Sequence, residues 1–243
     1  MDSRPPLTLA EQYVAACDWW REAGVDQDFN DVAEPFLQEP EQQAEKVAAP
    51  ALKAAEPELP KVGGARESWP TTLEDFAGWW MNEPSLDEAP AESRVAPRGA
   101  ANADVMVIVP MPEADDSDTL LAGHHGKLIA NMLRAMEVPA DKAYFASALP
   151  RHMPLAGWDD LHAAGHGEVL LHHIALCAPV RVIVLGRDIL TVLGQEKRQG
   201  VCEIALPAGS IHVLASFEAE NLIANARLRA DLWRRWLDWT GKA

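Results

Sequence analysis

The sequence predicts a three-layer α/β domain in which helices cover both faces of a central, mainly parallel sheet. Residues 105–109 form an apolar, largely β-branched run, which is typical of a strand buried on both faces. Further along the chain, apolar runs alternate with segments of helical periodicity, and this alternation favours parallel strands joined by right-handed crossovers. A chain of 243 residues with 48% hydrophobic content is also long enough to bury one sizeable core.

Residues 1–37 are predicted to form an N-terminal helical segment. Its first helix is expected over residues 7–24, where Thr8 and Glu11 fit a capping box. A second, shorter helix is expected around residues 30–37.

The first helix carries two adjacent tryptophans, Trp19 and Trp20. Large aromatic side chains on one helix face must cover apolar surface somewhere. They either pack on the main domain or form a separate contact site for a partner.

Residues 38–67 are predicted to be a flexible linker, because they are rich in Glu, Gln, Ala, Lys and Pro and carry too little apolar surface to form a core. The α/β domain is then expected to span residues 68–243. It begins with a helix over residues 68–80, opened by Thr71 or Thr72.

After a polar loop over residues 83–102, strands and helices alternate. The strands are expected at residues 105–109, 143–148, 180–185, 201–206 and 211–215. The helices are expected at residues 126–136, 159–177, 188–193 and 224–239.

The first strand and the segment that follows it predict the place of the site. Pro110 and Pro112 end the strand, since proline has no amide donor for a sheet. An acidic loop follows, and Gly123 and Gly126 flank the start of a helix. In open α/β sheets, ligands bind where strands end and helices begin, so we expect the functional site there.

Charge and composition exclude several classes of function. No apolar run approaches the roughly 20 residues of a bilayer crossing, and the N-terminus lacks the apolar segment of a signal peptide, so a cytoplasmic protein without a membrane partner is expected. Three widely spaced cysteines argue against disulfides. The net charge of −16 argues against a general nucleic-acid binder. The densest basic cluster lies in the last predicted helix and comprises Arg227, Arg229, Arg234 and Arg235.

Four short phrases carry a family resemblance. Residues 109–113 read Val-Pro-Met-Pro-Glu, residues 123–126 read Gly-His-His-Gly, residues 179–186 read Pro-Val-Arg-Val-Ile-Val-Leu-Gly, and residues 222–226 read Leu-Ile-Ala-Asn-Ala. In order and spacing they resemble motifs of the uracil-DNA glycosylase superfamily, most closely its iron–sulfur families 4 and 5. The resemblance covers roughly residues 68–240 and implies the glycosylase-like α/β fold.

The resemblance also indicates a degenerate site. Excising a base requires a group that positions water and a donor that stabilises charge on the leaving base. The alignment places Pro110 at the water-positioning Glu, Glu218 at the closing His, and Ser147 at the polar end of the second strand. Pro110 cannot accept a proton, and Glu218 would repel a developing oxyanion unless protonated. We therefore expect a non-catalytic binding module of DNA repair or replication.

An active uracil-DNA glycosylase with a non-standard site is the alternative. In that enzyme Asp115 or Asp116 would orient the water. His124 or His125, at a helix N-terminus, would serve as the electrophile. The partners implied are damaged or single-stranded DNA, or a replication or repair protein, with Trp19, Trp20, Arg227 and Arg229 as candidate contacts.

No cofactor and no metal are expected. The places of the family's cluster cysteines align with Trp79, Arg151 and His166, which supply no thiolate. His162 and His166 stand four residues apart, a spacing that suits a divalent ion, but no third close ligand is evident and an ordinary polar helix face explains them.

A weaker resemblance concerns the psi subunit of the bacterial DNA polymerase III clamp-loader assembly. It is carried by residues 105–109, 128–136 and 225–233. That subunit looks like a glycosylase fold without an active site, so it is a precedent for the fold as a protein-binding module.

Overall fold

The computed structural model describes residues 8–22 and 62–242. The chain divides into two compact units, Met1–Ala54 and Ala55–Ala243. The described element of the first unit is helix α1 (Leu9–Glu22).

The N-terminus of α1 is closed by the predicted capping box. The Thr8 amide donates to Glu11 Oε2 at 2.8 Å, and the Glu11 amide donates to Thr8 Oγ1 at 3.4 Å. Each side chain thus satisfies an amide that lacks an intrahelical acceptor. The predicted capping box is confirmed.

Contacts of the second unit begin inside the predicted linker. The Val62 amide donates to the Ala164 carbonyl at 3.0 Å, and the Gly63 amide donates to Ser85 Oγ at 3.0 Å. Within the described residues, contacts of this unit thus begin six residues before the predicted boundary at residue 68. The predicted helix around residues 30–37 and the linker residues 38–61 lie outside the described residues.

The described part of the second unit contains one sheet of five strands and seven α-helices. The strands are β1 (Val105–Val109), β2 (Ala143–Ser147), β3 (Arg181–Leu185), β4 (Gly200–Leu206) and β5 (Gly209–Ser216). The helices are α2 (Leu73–Asn82), α3 (His124–Ala135), α4 (Trp158–Ala164), α5 (His166–Cys177), α6 (Asp188–Val192), α7 (Ala219–Ala224) and α8 (Ala226–Thr240).

The sheet has the strand order β2-β1-β3-β5-β4. β1 pairs in parallel with both β2 and β3, and β5 pairs in parallel with β3. β4 alone runs antiparallel, because a two-residue turn returns the chain from Leu206 to Gly209 and the two strands form a hairpin. At the β2 edge, Arg98 and Phe145 exchange backbone hydrogen bonds of 2.8 and 2.9 Å.

Successive side chains of each strand point to opposite faces of the sheet, so a separate hydrophobic core forms on each face. On one face Met106 and Ile108 pack with Ile174 of α5 and Ile189 of α6. On the other face the odd-numbered residues of β1 pack with side chains of α3, α7 and α8. The predicted fold class, helices on both faces of a mainly parallel sheet, is confirmed.

Helix α2 forms a smaller third cluster. It begins after Thr72, whose Oγ1 accepts from the Asp75 amide at 3.2 Å, as one of the two predicted start residues. Phe76 and Trp80 are buried and pack with Val169 of α5.

Two helical regions differ from the prediction. The helix predicted over residues 159–177 breaks at Gly165, which has φ +98° and caps α4 in the left-handed conformation. The helix predicted over residues 224–239 is α8, whose start is capped by the Asn225 side chain accepting from the Arg227 amide at 2.9 Å. The short helix α7 that precedes it was not predicted. Among the described residues, no helix combines the length and apolarity needed to cross a membrane.

Candidate functional site

A cavity of about 520 Å³ opens at the carboxyl ends of the parallel strands. Its walls come from the segments that follow four of them: residues 110–115 after β1, residues 152–158 after β2, Asp188 after β3, and Glu218 with its neighbours after β5. The volume lies in the range of small-molecule sites, and the place is where α/β sheets bind ligands.

Gly186 lets these strand ends approach one another. It has φ +141°, and a Cβ atom there would lie 2.5 Å from Pro110 Cγ and 3.4 Å from Glu218 Cγ. The left-handed backbone and the close approach both favour glycine. The loops after β1 and β5 therefore meet over the end of β3.

The loop after β1 is held by Asp116. Its carboxylate accepts from the amides of Glu113 (3.0 Å), Leu121 (2.8 Å) and Ala122 (3.0 Å). Asp116 does not line the cavity, so its structural task differs from the water-orienting role considered for it. Its neighbour Asp115 is exposed and does line the cavity.

Leu121 shows backbone strain at the cavity wall. It is buried with φ +59°, in the left-handed region that costs a non-glycine residue about 1–2 kcal/mol. Its amide is held by Asp116, and its carbonyl lies where a side chain on Gly126 would collide. The loop is thus constrained in one conformation before any ligand arrives.

Glu113 caps α3 and is a site residue that the sequence interpretation missed. Its Oε2 accepts from the His125 amide at 3.1 Å and its Oε1 from the Gly126 amide at 3.3 Å. A carboxylate at a helix N-terminus is stabilised by the free amides and by the helix dipole. The available signal was the absence of a Ser, Thr, Asp or Asn cap before α3, which leaves those amides needing an acceptor.

The two histidines at the start of α3 differ in placement. His125 lines the cavity, and its Nδ1 lies 3.7 Å from Glu113 Oε2. His124 is exposed and is not part of the cavity wall. Only His125 of this pair is in place to meet a ligand.

Glu218 lies in the cavity wall at the start of α7. Burial, reinforced by the carboxylates of Asp188 and Glu220, raises the pKa of the Glu218 carboxyl above its usual range, while His125 opposes this by a smaller amount. Within the described part of the chain, its carboxylate has no hydrogen bond and no ion pair. Ser147, by contrast, is buried at the end of β2 opposite Val109 and stays outside the cavity.

The charge of the lining is strongly one-sided. Its acidic members are Glu113, Asp115, Asp188, Glu218 and Glu220. Two imidazoles, His125 and His152, are the basic groups, and no Lys or Arg lines it. Such a wall favours positively charged or hydrogen-bond-donating ligands and repels phosphate.

The arginine cluster of α8 is largely engaged within the fold. Arg229 donates to the carbonyls of Leu222 and of Ile223, the latter at 2.9 Å, near the end of α7. Arg234 and Arg235 both pair with Asp231. Arg227 is exposed and, among the described residues, its guanidinium has no partner.

In the N-terminal unit, Trp19 and Trp20 are 61% and 52% exposed. Their ring centroids lie 4.8 Å apart in an edge-to-face arrangement.

The histidines of α4 and α5 form hydrogen bonds within the fold. A ring nitrogen of each bonds a backbone carbonyl or a tyrosine hydroxyl. The pairs are His162 with Val192, His166 with Leu161, His172 with Pro70, and His173 with the hydroxyl of Tyr144. In the described residues, no three His, Cys, Asp or Glu side chains are arranged to hold a metal ion.

The glycosylase resemblance aligns Trp79, Arg151 and His166 with cluster cysteines. In the structure, these three residues make other contacts. Arg151 Nε lies 2.5 Å from Oδ2 of the buried Asp87 carboxylate, and the same carboxylate acts on His166, whose pKa is lowered mainly by burial. Trp79 packs against Trp69, with ring centroids 6.0 Å apart. A guanidinium, an imidazole and an indole offer no thiolate, so these residues do not fit an iron–sulfur cluster.

The fold and cavity define a three-layer α/β protein with a ligand-sized, acidic site at the carboxyl ends of its parallel strands. Comparison with known proteins found no matching family model and no matching curated protein.

Proposed function

We propose that the chain is a degenerate member of the uracil-DNA glycosylase superfamily that acts as a non-catalytic binding module in DNA repair or replication. The observation that carries the proposal is the chemistry of the cavity at the two aligned catalytic positions. Pro110 and Glu218 both lie in its wall. One offers no side-chain acceptor, and the other is a carboxylate where charge stabilisation would need a donor.

The electrostatics of the site favour binding without turnover. Uracil leaving a sugar develops negative charge, and Glu218 is already surrounded by Asp188 and Glu220. Three neighbouring carboxylates repel any additional negative charge. An extruded nucleotide would also bring two flanking phosphates to a cavity mouth without Lys or Arg.

Of the two partners that the family resemblance implies, the charges favour a replication or repair protein over DNA. Three of the four α8 arginines are already engaged within the fold, which leaves Arg227 as the free cation of that cluster in the described residues. A single exposed arginine makes a weak phosphate-binding surface. The proposed compartment is the cytoplasm, where Cys17, Cys177 and Cys202 would remain the free thiols that they are here.

An active glycosylase with a non-standard site is the second candidate, and one observation favours it. Asp115 and His125 line the same cavity, so a carboxylate and an imidazole face a bound ligand together. That pair could in principle orient water and stabilise a leaving base. Asp116 and His124 lie outside the cavity and do not contribute.

The test is uracil release from single- and double-stranded oligonucleotides by the purified full-length protein. The wild type is expected to release none above a no-protein control, and His125→Ala and Asp115→Asn are expected to match it. Release by the wild type that is lost in either variant would overturn the proposal and favour the enzyme.

A further inference from the structure

We infer that the cavity binds an organic cation, either an alkylammonium or a guanidinium group. This inference rests on the proposed function, because it takes the cavity as a binding site without turnover. It adds the chemical class of the ligand.

The first argument is the imbalance of charge inside one cavity. Five carboxylates line it, against two imidazoles and no Lys or Arg. Two of the five already have partners: Glu113 accepts two amides of α3, and Asp188 pairs with Lys197 at 2.5 Å. Glu218, Asp115 and Glu220 have neither hydrogen bond nor ion pair to their carboxylates within the described part of the chain.

The second argument is the position of Glu218 among its neighbours. It is half-buried and lies beside Gly186, where a Cβ atom would be 3.4 Å from Glu218 Cγ and 2.5 Å from Pro110 Cγ of the loop after β1. A partly desolvated carboxylate that lies near the carboxylates of Asp188 and Glu220 gains from a cation beside it. A bound cation would offset the repulsion between these carboxylates, which favours its binding.

The third argument is the rest of the wall, which suits an organic cation better than a metal ion. The indole of Trp158, with Pro110, Met111 and Pro154, lines the same cavity. An aromatic face attracts ammonium and guanidinium groups, and the apolar surface accommodates their methylene chain. The cavity of about 520 Å³ exceeds the space of a single ion, and no three ligating side chains of the described residues converge on one point.

The test is calorimetric titration of the full-length protein with two probes, spermidine and an amidated Gly-Arg-Gly peptide. The wild type is expected to bind at least one of them with a stoichiometry of one. Glu218→Gln should weaken that binding about tenfold or more, since it removes one partly desolvated charge pair. Asp141→Asn removes an exposed carboxylate far from the cavity wall and is the matched control, expected to bind as the wild type does.

The two probes distinguish the sources of the cation. Tighter binding of the peptide supports an arginine side chain of a protein partner, and tighter binding of spermidine supports a free polyamine. Absence of binding by both probes, or equal weakening in Glu218→Gln and Asp141→Asn, would overturn the inference. Magnesium chloride that binds with the same dependence on Glu218 would also overturn it in favour of a metal site. Uracil release is measured separately, so failure of the proposed function is distinguishable from failure to bind cations.

Discussion

Under the proposed glycosylase-like alignment, Glu218 and Pro110 occupy the two positions that decide between binding and catalysis. Both lie in the cavity wall and are brought together by Gly186. Their placement could be predicted because each lies just after the carboxyl end of a predicted strand. Their electrostatic surroundings could not be predicted, since Asp188 and Glu220 reach Glu218 only through the folding of separate loops.

Replacing Glu218 by histidine should not create activity. A well-placed donor in an oxyanion site contributes about 100- to 1,000-fold in rate, but only where the remaining catalytic groups are present. Because Pro110 supplies no carboxylate, Glu218→His is expected to stay at background in a uracil-release assay. Pro110→Glu plus Glu218→His should recover little, since no surrounding side chains hold the new pair in place. A uracil-release rate of Glu218→His that is about 100- to 1,000-fold above background would show that the other catalytic groups are present.

His173 makes the stability of the fold depend on pH. It is 1% exposed, stacked on Phe76 at 4.1 Å, and burial lowers its pKa from 6.5 to about 3. In the unfolded chain it takes up a proton near pH 6.5, whereas in the folded protein it stays neutral. Folding is therefore favoured above pH 6.5, and this contribution is lost as the pH falls towards 3.

We expect the free energy of unfolding to lose up to about 1.4 kcal/mol per pH unit from His173 in that window. Urea unfolding of the wild type and of His173→Gln between pH 7 and pH 4 measures it. The variant should show a shallower decline, and the exposed His212→Gln should decline as the wild type does. Equal slopes in the wild type and His173→Gln would contradict the assignment.

At the scale of elements, strands were easier to predict than helix ends. β1, with five buried apolar residues, is found at its predicted bounds because its pattern and the following prolines agree. The helix predicted over residues 159–177 lacked its break at Gly165, since a single glycine is tolerated within a helical pattern. The six-residue helix α7 was not predicted. The direction of β4 was not predicted, although the four residues between the predicted strands 201–206 and 211–215 are too few for a parallel crossover and indicate a hairpin.

A glycine at position 178, just after the C-terminus of α5, should stabilise the fold. Ala178 caps it with φ +47°, a left-handed conformation that costs an alanine about 1–2 kcal/mol. Ala178→Gly is expected to raise the free energy of unfolding by up to about 1 kcal/mol, part of the relief being offset by the entropy of the unfolded chain. Ala175→Gly, in the interior of the same helix, should lower it by about 0.5–1 kcal/mol. Thermal or urea unfolding that shifts in the same direction for both would refute the strain at Ala178.

Helix α1 is expected to serve partner binding rather than the stability of the α/β domain. Trp19 and Trp20 are more than half exposed in a unit that is compact by itself. Trp19→Ala plus Trp20→Ala should therefore leave the cooperative unfolding of the domain unchanged and weaken capture of a protein partner. A shared loss of cooperative unfolding would instead make the tryptophans part of the core.

At the scale of the whole molecule, the sheet topology and the excess of acidic residues together determine the character of the cavity. The topology gathers residues from four strand ends into one cavity, and the composition makes that cavity acidic. The sequence predicted a site at the end of β1, and three of its candidate residues, Asp115, His125 and Glu218, line the cavity, whereas Asp116, His124 and Ser147 do not. It did not identify Glu113, Asp188, His152 or Trp158, because their approach depends on loop conformations that no short motif encodes.

The central claim is that this cavity binds cations and performs no uracil excision. Amide chemical shifts of the ¹⁵N-labelled full-length protein test it most directly, with the amides of His125, Glu218 and Glu220 reporting on the cavity. Spermidine is expected to shift these amides to saturation, whereas a uracil-containing single-stranded oligonucleotide at the same concentration leaves them in place and yields no free uracil signal. Saturable shifts of the same amides by the oligonucleotide, with free uracil appearing in the spectrum, would contradict the account.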